Sequence, residues 1–193
     1  MKNLLKIASV LSLGILLSFS FLKEKKVVVI DAGHGGTDLG ANRHGIYEKE
    51  IVLNIAKKIK ALNQNKNIEI ILTRDDDSYP SLTDRTGKIN ELKPDYAISL
   101  HVNNSIKETV ERSGMEVYSQ ENEASKKLAS KFSEKFQNTV QKTANLHILR
   151  ESKTPTILLD LGFINNPNER SYLASEKGQT ETAEKILSFI NEN

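Results

Sequence analysis

Three apolar runs, far apart in the chain, each end in ionisable residues: VVVIDAGHGG (Val27 to Gly36), YAISLHVN (Tyr96 to Asn103) and TILLDLGF (Thr156 to Phe163). Short continuous apolar runs bounded by Gly, Pro or Asn suit strands buried on both faces of a parallel sheet. In such sheets ligands and catalytic groups collect at the carboxyl ends of the strands. The pattern therefore predicts that His34, His101 and Asp160 converge on one sheet edge. Two histidines and a carboxylate in one cleft point to a metal hydrolase.

The segments between these runs read as helices and further strands. Glu48 to Leu62 places Ile51, Val52, Ile55, Ile59 and Leu62 on one helical face. Ile68 to Thr73 reads as a second strand, and Ser81 to Asp84 as a capping box opening a short helix to about Asn90. Gly114 precedes another strand, Met115 to Ser119. Glu123 to about Val140 reads as a long amphipathic helix, and Leu146 to Leu149 as a short strand. Asn166 and Pro167 look like an N-cap and first helical residue, and Thr180 to Ile190 like the terminal helix. Strands alternating with helices predict an α/β fold: a single domain with a twisted, mostly parallel sheet of about six strands, flanked by helices. A chain of 193 residues suits one such core.

The first 22 residues stand apart. Lys2 and Lys6 precede an apolar or small stretch from Ile7 to Leu22, the layout of a secretory signal. A small-x-small site at Ser18 to Ser20 would permit cleavage, and an uncleaved membrane anchor is the alternative. Either reading exports the domain to the periplasm or cell envelope, with membrane contact only through this segment. Residues 23–26 then form a short basic linker, and 27–193 the catalytic domain. Without Lys2 and Lys6 the basic and acidic residues balance at 25 each, which leaves no electrostatic footprint for nucleic acid.

The chain contains no cysteine, so any metal site must use His, Asp or Glu. His34 follows the first strand in a glycine-rich loop that lacks either phosphate-binding pattern. Glu48 and Glu50 both begin a helix, where a carboxylate is favoured on dipole grounds alone. A loop folding back from His34 would add Glu48 to His34 and His101, leaving a fourth tetrahedral position open as in a catalytic zinc site. The remaining histidines read as bystanders: His44 in a surface loop and His147 in the short strand, with a structural role.

Seven motifs then occur in order: Asp31-Ala-Gly-His-Gly-Gly36, Glu48-Lys-Glu-Ile-Val-Leu53, Leu72-Thr-Arg-Asp-Asp-Asp77, Ser81-Leu-Thr-Asp-Arg85, Ser99-Leu-His-Val-Asn103, Gly114-Met-Glu-Val-Tyr118 and Leu161-Gly-Phe-Ile-Asn165. Together they resemble the zinc-dependent N-acetylmuramoyl-L-alanine amidases of the Amidase_3 type, from Val27 to the C-terminus. The resemblance implies a bacterial hydrolase that binds Zn2+ through His34, Glu48 and His101. Its substrate would be the amide between N-acetylmuramic acid and L-alanine in peptidoglycan, for cell wall remodelling or daughter-cell separation. The family's general base falls on Asp160, where a glutamate is expected, and Asn103 and Arg150 are candidate substrate contacts. An envelope activator protein is an admissible partner. The stretch Gln137 to Leu146 lacks the basic, glycine-containing segment expected there, and no spare segment could cover the metal, so an open cleft is expected. Two rivals remain: a catalytically weak zinc-containing protein that binds peptidoglycan or regulates the envelope, and a zinc peptidase cutting another amide.

Overall fold

The computed structural model describes residues 25–105 and 111–193. The expected signal or anchor over residues 1–22, and the first part of the basic linker, lie outside the described residues. Among those described, no helix is long and apolar enough to cross a membrane.

The main sheet has six strands: β1 (Lys26–Ala32), β4 (Ile68–Leu72), β5 (Tyr96–Asn103), β6 (Glu116–Ser119), β7 (Val140–Thr143) and β8 (Thr156–Phe163), in the order β4-β1-β5-β8-β6-β7. Two-residue strands β2 (Asn42–Arg43) and β3 (Ile46–Tyr47) form a separate antiparallel hairpin inside the glycine-rich segment. The helices are α1 (Glu48–Leu62), α2 (Leu82–Leu92), α3 (Glu123–Lys135), α4 (His147–Glu151), α5 (Pro167–Ala174) and α6 (Glu176–Glu192). Every pairing in the main sheet is parallel except β6 against β8.

The three runs that are apolar in sequence are the central strands β1, β5 and β8, adjacent to one another and largely buried. Both faces are covered, which is why these strands carry no polar alternation. One face holds the larger core, including Ile51, Val52, Ile55 and Ile59 of α1, Phe132 of α3 and Phe189 of α6. Each such side chain contributes up to about 1.5–3 kcal/mol on burial. The other face holds a smaller cluster of Val29, Ile89, Ala97, Ile148, Leu149 and Leu158, beneath α2 and α4.

The helix starts are set by side chains. Ser81 and Asp84 form a reciprocal capping box on α2, Asn166 accepts from the backbone N–H groups of Asn168 and Glu169 at α5, and Ser175 accepts from Gly178 at α6. Three local expectations need correction. The helix begun at Glu123 stops at Lys135; Asn138 then takes a positive φ of 66°, and Val140–Thr143 runs on as edge strand β7. Residues 147–151 are helical rather than extended, with Arg150 N–H donating to the Leu146 carbonyl at 2.8 Å. The terminal helix starts at Glu176, one turn earlier than its apolar face indicates, because Ser175 caps it.

Candidate metal and catalytic site

The carboxyl ends of β1, β5 and β8 meet at one edge, and the register is specific. His101 pairs with Asp160 across β5 and β8, and Asp160 pairs with Glu116 across β8 and β6. Directly opposed residues share a sheet face. His101, Asp160 and Glu116 therefore form one row, and the row behind it contains Asp31, Ser99, Leu158 and Tyr118.

His34 reaches this edge from the loop after β1, held at a φ of 58°. A left-handed backbone at a non-glycine residue costs energy that the surroundings must supply. Here two buried guanidinium groups do so. Arg85 donates to Asp31 Oδ1 at 2.9 Å, the Ala32 carbonyl at 2.6 Å and the His34 carbonyl at 2.5 Å. Arg74 donates to the carbonyls of Ala32, Gly33 and Lys49 at 2.7–3.0 Å. Asp31 is buried, which alone would raise its pKa; the Arg85 charge and the hydroxyls of Ser99 and Thr73 outweigh this and lower it.

Glu48, 3% exposed at the start of α1, is the hub of the site. Its Oε1 lies 3.1 Å from His34 Nε2 and 2.9 Å from His101 Nδ1, and accepts from the Val102 N–H at 2.9 Å. Its Oε2 accepts from the Ala41 N–H at 2.7 Å. Burial favours protonated Glu48, but hydrogen bonds and charge from the two histidines hold its pKa well below the usual range. The same pairing, with Asp38, raises the pKa of His34 against its own desolvation. The imidazole rings stand edge to face, 4.9 Å apart.

Two glycines make this convergence possible. A Cβ on Gly33 would fall 2.4 Å from the His101 ring. At Gly40, with a φ of 65°, it would fall 2.7 Å from both Glu48 Oε2 and His34 Cδ2. The ligand-capable atoms of His34, Glu48 and His101 lie within 4.8 Å of one another. Asp38 Oδ2, 2.8 Å from His34 Nδ1, occupies that nitrogen and leaves Nε2 facing the group. An imidazole oriented by a carboxylate on its far nitrogen is the usual arrangement of a metal-ligating histidine. The donor set fits a divalent metal with a position left open.

Asp160 is mostly buried beside this group. Burial pushes its carboxyl up to about 6, with Glu48 and Glu116 adding to the rise and His101 and Lys142 opposing it. Glu116 accepts from Asn103 Nδ2 at 3.0 Å, Tyr118 Oη at 2.5 Å and Lys142 Nζ at 2.7 Å, and is bonded by Arg112 as well. Asn103 thus sits at the site edge, engaged with Glu116. Arg150 lies at the end of α4, bonded to Glu151 and Asn145, and does not line the cleft. His44 occupies the exposed hairpin turn. Asp38 and Glu116 were not singled out in the sequence; the available signals were a carboxylate four residues after His34 and a lone acid at the start of a strand.

The cleft encloses about 430 Å³ and contains His34, His101, Asp38 and Asp160 together with side chains from α2, α4 and β8. Against known proteins, the family profile described as N-acetylmuramoyl-L-alanine amidase, Amidase_3, matches residues 28–192. The N-acetylmuramoyl-L-alanine amidase CwlM of Bacillus licheniformis is 33% identical over 77% of this chain; the match spans 60% of CwlM's length. The catalytic domain of CwlV, an N-acetylmuramoyl-L-alanine amidase from Bacillus (Paenibacillus) polymyxa var. colistinus, superposes with a TM-score of 0.78. Its identity is 36%, over 86% of this chain and 97% of that one. The CwlD amidase of Clostridioides difficile, solved in complex with the GerS lipoprotein, gives a TM-score of 0.78 at 26% identity, over 87% of this chain and 98% of that one. With the profile matching nearly all of residues 25–193, the chain belongs to the Amidase_3 family of N-acetylmuramoyl-L-alanine amidases.

Proposed function

We propose that this domain is a zinc-dependent hydrolase of the amide between N-acetylmuramic acid and L-alanine in peptidoglycan, acting in the cell envelope after export. The observation that carries the reading is the convergence of His34, Glu48 and His101, with Asp160 in register beside His101. His34 Nε2, a Glu48 carboxylate oxygen and a His101 ring nitrogen would hold the metal. When bound, zinc would supply Lewis-acid polarisation of the scissile carbonyl and a lowered pKa for water.

The protein's own groups do the rest. Asp38 keeps Nε2 of His34 available as a ligand, and the Ala41 and Val102 amides hold Glu48 in place. Asp160 takes the proton from the attacking water as the C–O bond forms, and returns it to the leaving L-alanine nitrogen as the C–N bond breaks. Its burial suits both halves of that task, since a carboxyl near 6 can accept and release a proton close to neutrality. Asn103 at the site edge is proposed as a substrate contact. The lipoprotein complex of CwlD supports looking for an envelope protein as partner.

The test is digestion of purified sacculi with the zinc-loaded domain, followed by mass spectrometry. Intact stem peptides released from glycan are expected. Fragments cut within the stem peptide would identify a peptidase instead, and no release at all would refute the hydrolase reading.

A further inference from the structure

The cleft continues past the metal-ligating group along the sheet face, between α2 and α4, and there its walls are apolar. Leu158 and Tyr118, opposed across β8 and β6, line this part. Tyr79 and Leu82 stand at the α2 side; Leu146, His147 and Ile148 stand at the α4 side. Tyr79 and Leu82 are each 53% exposed and Leu146 39%, among the few large apolar side chains that the described residues leave open. Such side chains need no explanation singly, but three around one cleft mark a surface that binds an organic ligand.

His147 is the exception in this wall. Its Nε2 is buried and has no hydrogen-bond partner among the described residues. His34 and His101, in the same cleft, are each bonded to a carboxylate. A buried polar atom without a partner is costly, and its persistence calls for a partner that arrives later. The backbone around it is fixed, because Leu146 O accepts from both Leu149 and Arg150 as α4 starts. A histidine χ2 is a broad, roughly two-fold torsion, and a turn about it carries the buried nitrogen toward the cleft.

We propose that His147 is a substrate-contact residue whose Nε2 hydrogen-bonds a polar group of the bound muropeptide, while Tyr79, Leu82 and Leu146 hold apolar parts of the same molecule. This rests on the amidase reading for the identity of the ligand. It assigns the α4 wall to recognition rather than to chemistry: His147 raises affinity and leaves the proton transfers to Asp160.

The test separates one ring atom from the rest of the side chain. Muramyl dipeptide is titrated by calorimetry into zinc-loaded protein carrying Asp160→Asn to block turnover, and KM and kcat on soluble muropeptides are measured in the unblocked protein. His147→Phe keeps the ring but removes the nitrogens; it should raise Kd and KM about tenfold, the value of one hydrogen bond, with kcat and zinc content unchanged and melting temperature equal or higher. His147→Gln places an amide nitrogen near the Nε2 position and should recover most of the loss, whereas the shorter His147→Asn should not. Unchanged affinity in His147→Phe, a loss that follows melting temperature or zinc content, no recovery by Gln, or no binding by the parent protein would each overturn the inference. If the binding pattern holds and no stem peptide is released, the amidase reading fails and the His147 assignment stands. If stem peptides are released but KM is equal for wild type and His147→Phe, the His147 assignment fails and the amidase reading stands.

Discussion

Replacing Arg85 with Met should destabilise the domain far more than an ordinary surface change, and the structure gives the size. The guanidinium is 3% exposed and bonds Asp31 Oδ1 together with the carbonyls of Pro80, Ala32 and His34. Methionine would fill most of the volume but leave the Asp31 carboxylate, 2% exposed, with only the Ser99 and Thr73 hydroxyls at 2.6 and 2.7 Å. Breaking one side of a buried pair costs about 3–5 kcal/mol, chiefly from the charge left behind. Urea unfolding at pH 7 in chelator measures this directly. Adding Asp31→Asn removes the orphaned charge, so the double variant should lose less than the sum of the two single losses by roughly 0.5–3 kcal/mol. The sign with pH follows from the lowered pKa of Asp31. Its stabilisation is fully present above the unfolded value of about 3.9 and is lost as pH falls through the lower folded value. The gap between wild type and Asp31→Asn should therefore narrow at the acid end. A loss below about 1 kcal/mol for Arg85→Met, the value of an exposed pair, would refute the reasoning. So would losses that simply add in the double variant.

Asp38→Asn should weaken zinc binding about 10–100-fold, read by competition with a chromogenic chelator, and unchanged affinity would remove Asp38 from the metal site. Asp160→Asn should lower turnover about 10²–10⁴-fold at constant zinc content, and equal turnover would show that another group is the base. In wild type, kcat/KM should rise with pH through a limb at or below the value of about 6 that burial gives Asp160, since a bound cation draws it down; the Asn variant should lack that limb. Asp160→Glu should hold or raise the rate if the shorter side chain limits reach, and a fall would show that the site is built around aspartate. Ser81→Ala removes the side-chain half of the α2 capping box, the Asp84 N–H donating to Ser81 Oγ, and should cost about 1 kcal/mol in urea unfolding.

The central strands were legible because burial on both faces leaves an uninterrupted apolar signature, and the ionisable residue near the end of each run marked the edge where His34, His101 and Asp160 meet. Helix α1 was legible in its bounds because its apolar face has the helical period, although Leu62, read onto that face, is exposed. Strand β7 was not. Val140–Thr143 is an edge strand with three of its four residues exposed, so no burial pattern was written into it. His147 misled because Leu146 to Leu149 is short, apolar and broken by one polar residue, a pattern that a short helix and a strand share. Asp38 and Glu116 were hidden for a different reason. Each acts through a partner distant along the fold or across a loop, and a single acid in sequence does not say whose nitrogen it will meet.

The reversed direction of β6 has a consequence for how such a domain can diversify. Since β6 runs opposite to β8, the chain leaves β5 after Asn103 and enters β6 at Glu116 on the same edge. This connection needs no crossover through the layers, and both its ends lie beside the row of His101, Asp160 and Glu116. The described ends of this connection belong to no helix of the core, so a change of length between them need not shift any strand register. Connections that cross from one end of the sheet to the other, such as those containing α1 or α2, have no such freedom, because their helices are also the core.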